Sequence, residues 1–157
     1  MATAIESKFV KEDLIFLDFE AEDKVDLITK MASFIEEKGY VKETFKDAIL
    51  NREEVFPTGL RGENLTIAIP HTNAEHVNEP GIFFTRLKNT VKFKEMGIGA
   101  DDVDVKLVFM LLIKEPKEQV GMLSNLMAIF GQPENIEVLT NSKDKEEIYS
   151  TLASIVG

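Results

Sequence analysis

Residues 105–113 read Val-Lys-Leu-Val-Phe-Met-Leu-Leu-Ile, and this nearly continuous apolar run constrains the fold more than any other segment. A strand with one wet face alternates apolar and polar side chains, whereas an unbroken run of strand-forming residues needs cover on both faces. The segment is therefore expected at the centre of a sheet with helices above and below it. Helical patterns lie on either side. Asp23 is placed as an N-cap for a helix over 24–38, with Val25, Ile28, Ala32 and Ile35 facing inward and Gly39 as its stop. A second helix is predicted over 42–55, with Phe45, Ala48 and Ile49 on its inner face. Pro116 opens a third, continued by Val120, Leu123, Met127 and Phe130, broadened by Met122 and Leu126, and broken by Gly131-Gln132-Pro133. Two short helices over 134–140 and 144–156 follow.

Further strands are predicted at Leu14 to Phe19, Leu65 to Ile69, Ile82 to Leu87 and Val91 to Phe93. The last two resemble a hairpin, which favours a mixed sheet over a purely parallel one. The expectation is an α/β fold: one domain over residues 1–157, core about 10–153, with a mixed β-sheet flanked by α-helices on both faces. No internal repeat, linker or low-complexity segment interrupts it.

The net charge of −10, from 18 Lys+Arg against 28 Asp+Glu, argues against nucleic acid held through its phosphates. There is no cysteine, hence no disulfide framework, thiolate metal site or cysteine nucleophile. Met1 to Lys11 lacks an apolar signal core, and no apolar run reaches the roughly 18 residues that span a bilayer, so a cytoplasmic protein without membrane insertion is expected.

The chemistry is sought at Ile67-Ala68-Ile69-Pro70-His71, where a proline ends a strand and one of only two histidines follows it. A neutral imidazole there suits a nucleophile, a proton shuttle, a metal ligand or a simple strand cap. His76, five residues on, has the wrong helical spacing for a paired metal site and no evident third ligand. Arg52 lies seven residues after Phe45, on the apolar side of its helix, where a guanidinium needs either a phosphate or an ion pair with Glu53, Glu54 or another acid. Thr58, between Pro57 and Gly59, is placed to face an oxyanion or to stabilise a turn. Gln119 shares the side of Met122, Leu123 and Leu126 in a first helical turn, where an amide suits a phosphoryl group unless it is merely exposed. Gly97-Ile98-Gly99 is too short to be a nucleotide fingerprint.

Arg52-Glu53, Phe56-Pro57-Thr58-Gly59-Leu60, Ile67 to His71 and Glu75-His76 together resemble the fructose/mannitol-type enzyme IIA domains of the bacterial sugar phosphotransferase system (PTS). Glu115-Pro116-Lys117-Glu118-Gln119, Leu123 and Gln132-Pro133 are most similar to the galactitol-specific branch, and the likeness spans about residues 10–153. The resemblance implies that His71 accepts a phosphoryl group from the phosphocarrier HPr through Nε2. It also implies passage to a IIB component, which serves sugar entering through a membrane IIC component, with no cofactor and no metal. It places Arg52 and Thr58 near the phosphoryl group. Mannitol-type members carry a second histidine where Gln119 stands, or Glu118 if the register shifts by one; Gln119 would then stabilise the phosphoryl oxygens and His76 would add a donor at the rim. The loop between Thr58 and His71 is a few residues longer than in those members. Apolar residues such as Phe56 are expected to contact partners. The alternative is a regulatory IIA-like protein, phosphorylated at the same histidine and acting by binding other proteins; a metal hydrolase using His71 and His76 is the third reading.

Overall fold

The computed structural model describes residues 7–97 and 101–156, so Ile98 and Gly99 lie outside the described residues, as do both chain ends. The apolar run forms β5 (Asp102–Leu112), in the middle of a five-stranded sheet. Around it stand β1 (Val10–Phe19), β2 (Gly59–Arg61), β3 (Thr66–Ala68) and β4 (Gly81–Lys94), in the order β1-β4-β5-β3-β2. β5 pairs antiparallel with β4 and parallel with β3, which makes the sheet mixed. Side chains of β5 alternate between two apolar layers: Leu107, Phe109 and Leu111 enter one, Val108, Met110 and Leu112 the other.

Helices α1 (Lys24–Glu37) and α2 (Phe45–Val55) cover the second layer. Helices α3 (Gln119–Met127), α4 (Pro133–Asn141) and α5 (Lys145–Val156) cover the first. The start and stop of α1 follow from its ends. The Asp23 carboxylate accepts the Asp26 N–H, and beyond the helix Gly39, at φ +84°, lets the Tyr40 N–H reach Ile35 O and its own N–H reach Glu36 O.

Four expectations need correction. The segment 82–93 is no hairpin in itself: β4 is one strand that runs on through an irregularity between Arg86 and Val91, and its antiparallel partner is β5. Polar Lys88, Asn89 and Thr90 bulge there without ending the pairing. Helix α2 starts at Phe45 rather than at 42. Val25 is 55% exposed because it lies roughly 90° around α1 from the stripe centred on Ile28, Met31 and Ile35. The third helix buries Met122, Leu126 and Ile129 while Val120 is 77% exposed and Met127 also faces solvent; it opens with a 3-10 turn at Pro116–Glu118 and tightens into another at Ala128–Gly131. Both sets of residues have helical spacing, so an almost uniformly apolar segment gives no phase from which to choose.

Candidate active site at the ends of the central strands

His71 stands just past β3 and bridges Leu111 near the end of β5. Pro70 has no N–H to donate, but its carbonyl accepts the Leu111 N–H at 2.9 Å, so the segment stays tied to the central strand after the ladder has lost a donor. His71 is 6% exposed. Its Nδ1 lies 2.8 Å from Ile69 O. A carbonyl oxygen only accepts, so Nδ1 carries the hydrogen and the neutral ring holds its lone pair on Nε2. Burial pulls the His71 pKa below 6.5, the Ile69 hydrogen bond opposes this, and the positive charge of Arg52 pushes the same way as burial.

Arg52, in the last turn of α2, is half-buried with its guanidinium 5.2 Å from the centre of the Phe56 ring. Its Nε is enclosed without a hydrogen-bond partner, and neither Glu53 nor Glu54 forms an ion pair with it. Of the two occupants that the sequence allowed for this guanidinium, the neighbouring carboxylates are thus ruled out by geometry. Phe56 itself is 60% exposed, and Val55 beside it 67%.

Thr58 is turned inward. Its hydroxyl donates to Glu53 Oε1 at 2.7 Å and accepts the Ile69 N–H at 3.2 Å, while its own N–H donates to Glu53 Oε2 at 2.8 Å. The hydroxyl proton that was to face an oxyanion is therefore directed at Glu53. Glu53 is the residue that sequence reasoning missed as part of this site, having weighed it only as a partner for Arg52. Its spacing held the signal, since Phe45, Ile49 and Glu53 fall four residues apart on one buried face. Burial raises its pKa to about 7 against the lowering effect of the two Thr58 hydrogen bonds.

Gln119 opens α3 and is half-buried; its side-chain amide makes no hydrogen bond among the described residues. Glu118, the other residue considered for that place, is held by Lys8 at 2.9 Å. His76 sits in a 3-10 turn (Ala74–His76), with Nδ1 2.8 Å from the Thr44 hydroxyl ahead of α2 and Nε2 3.9 Å from Glu75. The two histidines are thus held by different elements and share no bond. Among the described residues, no group of three or more His, Cys, Asp or Glu side chains could hold a metal ion, and no helix is long and apolar enough to cross a membrane.

What the arrangement can do is offer one oriented nitrogen lone pair in the field of a guanidinium that forms no ion pair among the described residues, the requirements of nucleophilic attack on an anionic group. Comparison with known proteins gives the chain's relatives. The family model described as phosphoenolpyruvate-dependent sugar phosphotransferase system, EIIA 2, matches residues 8–155. A galactitol-specific EIIA component of the PTS from Escherichia coli K12 is 33% identical over 131 residues, 83% of each chain. The crystal structure of IIA mannitol from Escherichia coli superposes with a TM-score of 0.73 at 26% identity, covering 92% of this chain and 99% of the other. A complex of enzyme IIAMTL with phosphorylated enzyme IIBMTL from the same organism gives 0.72 at 25% identity, covering 92% and 97%.

Proposed function

The chain belongs to the phosphoenolpyruvate-dependent sugar phosphotransferase system EIIA 2 family, and on that premise we propose that it is a cytoplasmic phosphocarrier whose His71 takes a phosphoryl group from phospho-HPr and gives it to a IIB component. The Nε2 lone pair forms the new P–N bond as the bond to the donor nitrogen breaks, and the donor nitrogen leaves with that electron pair. The second transfer reverses the roles. One observation carries the reading: an imidazole fixed through Nδ1 stands within the field of an arginine whose Nε has no partner among the described residues. Arg52 takes the phosphoryl oxygens, the Gln119 amide adds a neutral donor from the head of α3, and Thr58 contributes by shaping the strand end. His76, bound to Thr44, is at most a donor at the rim.

The similarity to a galactitol-specific EIIA component supports transport of galactitol or a related polyol. The IIAMTL–IIBMTL complex supports a IIB partner, and exposed Val55, Phe56 and Val120 are apolar contacts suited to HPr and IIB in turn.

Incubation with enzyme I, HPr and labelled phosphoenolpyruvate tests the reading. His71→Ala should take no label; labelling equal to the wild type overturns it. Arg52→Ala should keep its circular dichroism spectrum and accept phosphoryl groups about 100–1,000-fold more slowly, the usual effect of removing one donor that stabilises developing charge.

A further inference from the structure

Glu53 has no part in the transfer just described, and its burial calls for a reason. It is 2% exposed and forms no ion pair among the described residues; Lys24 on α1 acts on it through space. An unpaired carboxylate in such a place is costly, and an apolar residue of similar size would be cheaper to bury. Both of its oxygens serve one residue, the N–H and the O–H of Thr58.

The consequence passes along a chain of hydrogen bonds. A carboxylate only accepts, so the Thr58 hydroxyl proton has a single direction, and the oxygen's lone pairs are left for the Ile69 N–H. The rungs between β2 and β3 end at Gly59 and Ala68, so this hydroxyl supplies the rung that Ile69 lacks. Ile69 O in turn receives the Nδ1 hydrogen of His71. We propose that Glu53 is a positioning residue for phosphoryl transfer: acting through Thr58 and Ile69, it holds His71 in the Nδ1–H tautomer with Nε2 as the nucleophile. The inference rests on His71 being the phosphoryl acceptor. The effect is geometric, carried by the hydrogen bonds of Thr58 and Ile69, whereas Arg52 acts on the histidine through its charge.

A glutamine at this place would present an NH2 group either to the Thr58 N–H or to its hydroxyl, and would turn the hydroxyl round in the second case. Protonation of Glu53 does the same, and with its pKa raised to about 7 this falls in an accessible range, above that of His71 itself. The experiment uses the 15N-labelled full chain, whose His71 nitrogen shifts report the tautomer without any phosphorylation. Glu53→Gln should convert one dominant tautomer into a mixture, lower kcat for acceptance from phospho-HPr roughly tenfold with KM unchanged, and abolish an inflection near pH 7 in the wild-type rate profile. Thr58→Val should reproduce the tautomer and kcat effects, and Thr58→Ser should recover most of what valine loses. A Glu53→Gln protein with wild-type tautomer, kcat and pH profile overturns the proposal; if that variant does not fold, a Thr58→Val protein with wild-type spectrum and kcat overturns it. Absence of label on wild-type His71 would defeat the phosphocarrier reading instead, and the nitrogen spectra separate the two failures.

Discussion

At the scale of single residues, the site is a contest over where protons sit. Burial and the Arg52 charge both favour neutral His71, so its folded pKa lies below the 6.5 of the unfolded chain. Protonation therefore binds the unfolded state more tightly, and the histidine subtracts stability as pH falls below 6.5 but not above it. An NMR titration of the ring should give a midpoint below 6.5, and a midpoint above that value would contradict the geometry. His71 and Arg52 were legible in the sequence because each breaks a local pattern: an imidazole past a proline, a cation on an apolar helix face. Glu53 was not, since beside Arg52 it looks like half of an ordinary ion pair. The partner it has instead, Thr58, is five residues on, across a turn whose path no periodicity describes.

At the scale of elements, the sequence was read well where one pattern had one meaning. β5 could only be central, and Asp23 and Gly39 bounded α1 to within a residue. It was read poorly where two phases competed, as in α3, or where a polar interruption could mean either a turn or a bulge, as at Lys88 to Thr90 in β4. β2 escaped notice because three residues cannot show a period. Its first residue is nonetheless exacting. A Cβ on Gly59 would stand 2.7 Å from the carbonyl oxygen of Lys94 and 2.8 Å from a methyl of Val103, and the Met96 N–H is bonded to Gly59 O. Backbone cannot step aside as a side chain can. Gly59→Ala is expected to cost about 1–3 kcal/mol in denaturant unfolding. Because Thr58 precedes it, the variant should also disturb the Ile69 N–H resonance, which a purely distant strain would leave in place.

At the scale of the whole molecule, the sheet is a partition between two apolar layers, one closed by α1 and α2 and the other by α3, α4 and α5. Ile35 belongs to the layer under α1 and α2 and Ile148 to the layer under α3, α4 and α5, both fully buried. Changing either to valine should cost about 0.5–1.5 kcal/mol, and the double variant should equal the sum to within about 0.5 kcal/mol, since the two lie in different apolar layers. A larger departure, measured by equilibrium unfolding, would mean that the layers communicate through the strands. The layered α/β arrangement was recoverable from sequence because helical and strand patterns interleave. The position of the site was recoverable only in part, because it needs the ends of β3 and β5 to lie side by side.

That juxtaposition has a kinetic consequence. Pro70 O is bonded to the Leu111 N–H of the central strand and the Ile69 N–H to Thr58, so the backbone leading into His71 is tied to an element on either side, and the ring itself is tied to Ile69 O. A strand end tied in this way is built to hold the ring in place rather than to carry it toward an incoming group. In a relay through His71, the distance between phosphorus and nitrogen is closed by whole proteins diffusing and docking, so solvent viscosity and, for a chain of charge −10, ionic strength govern the pace of encounter.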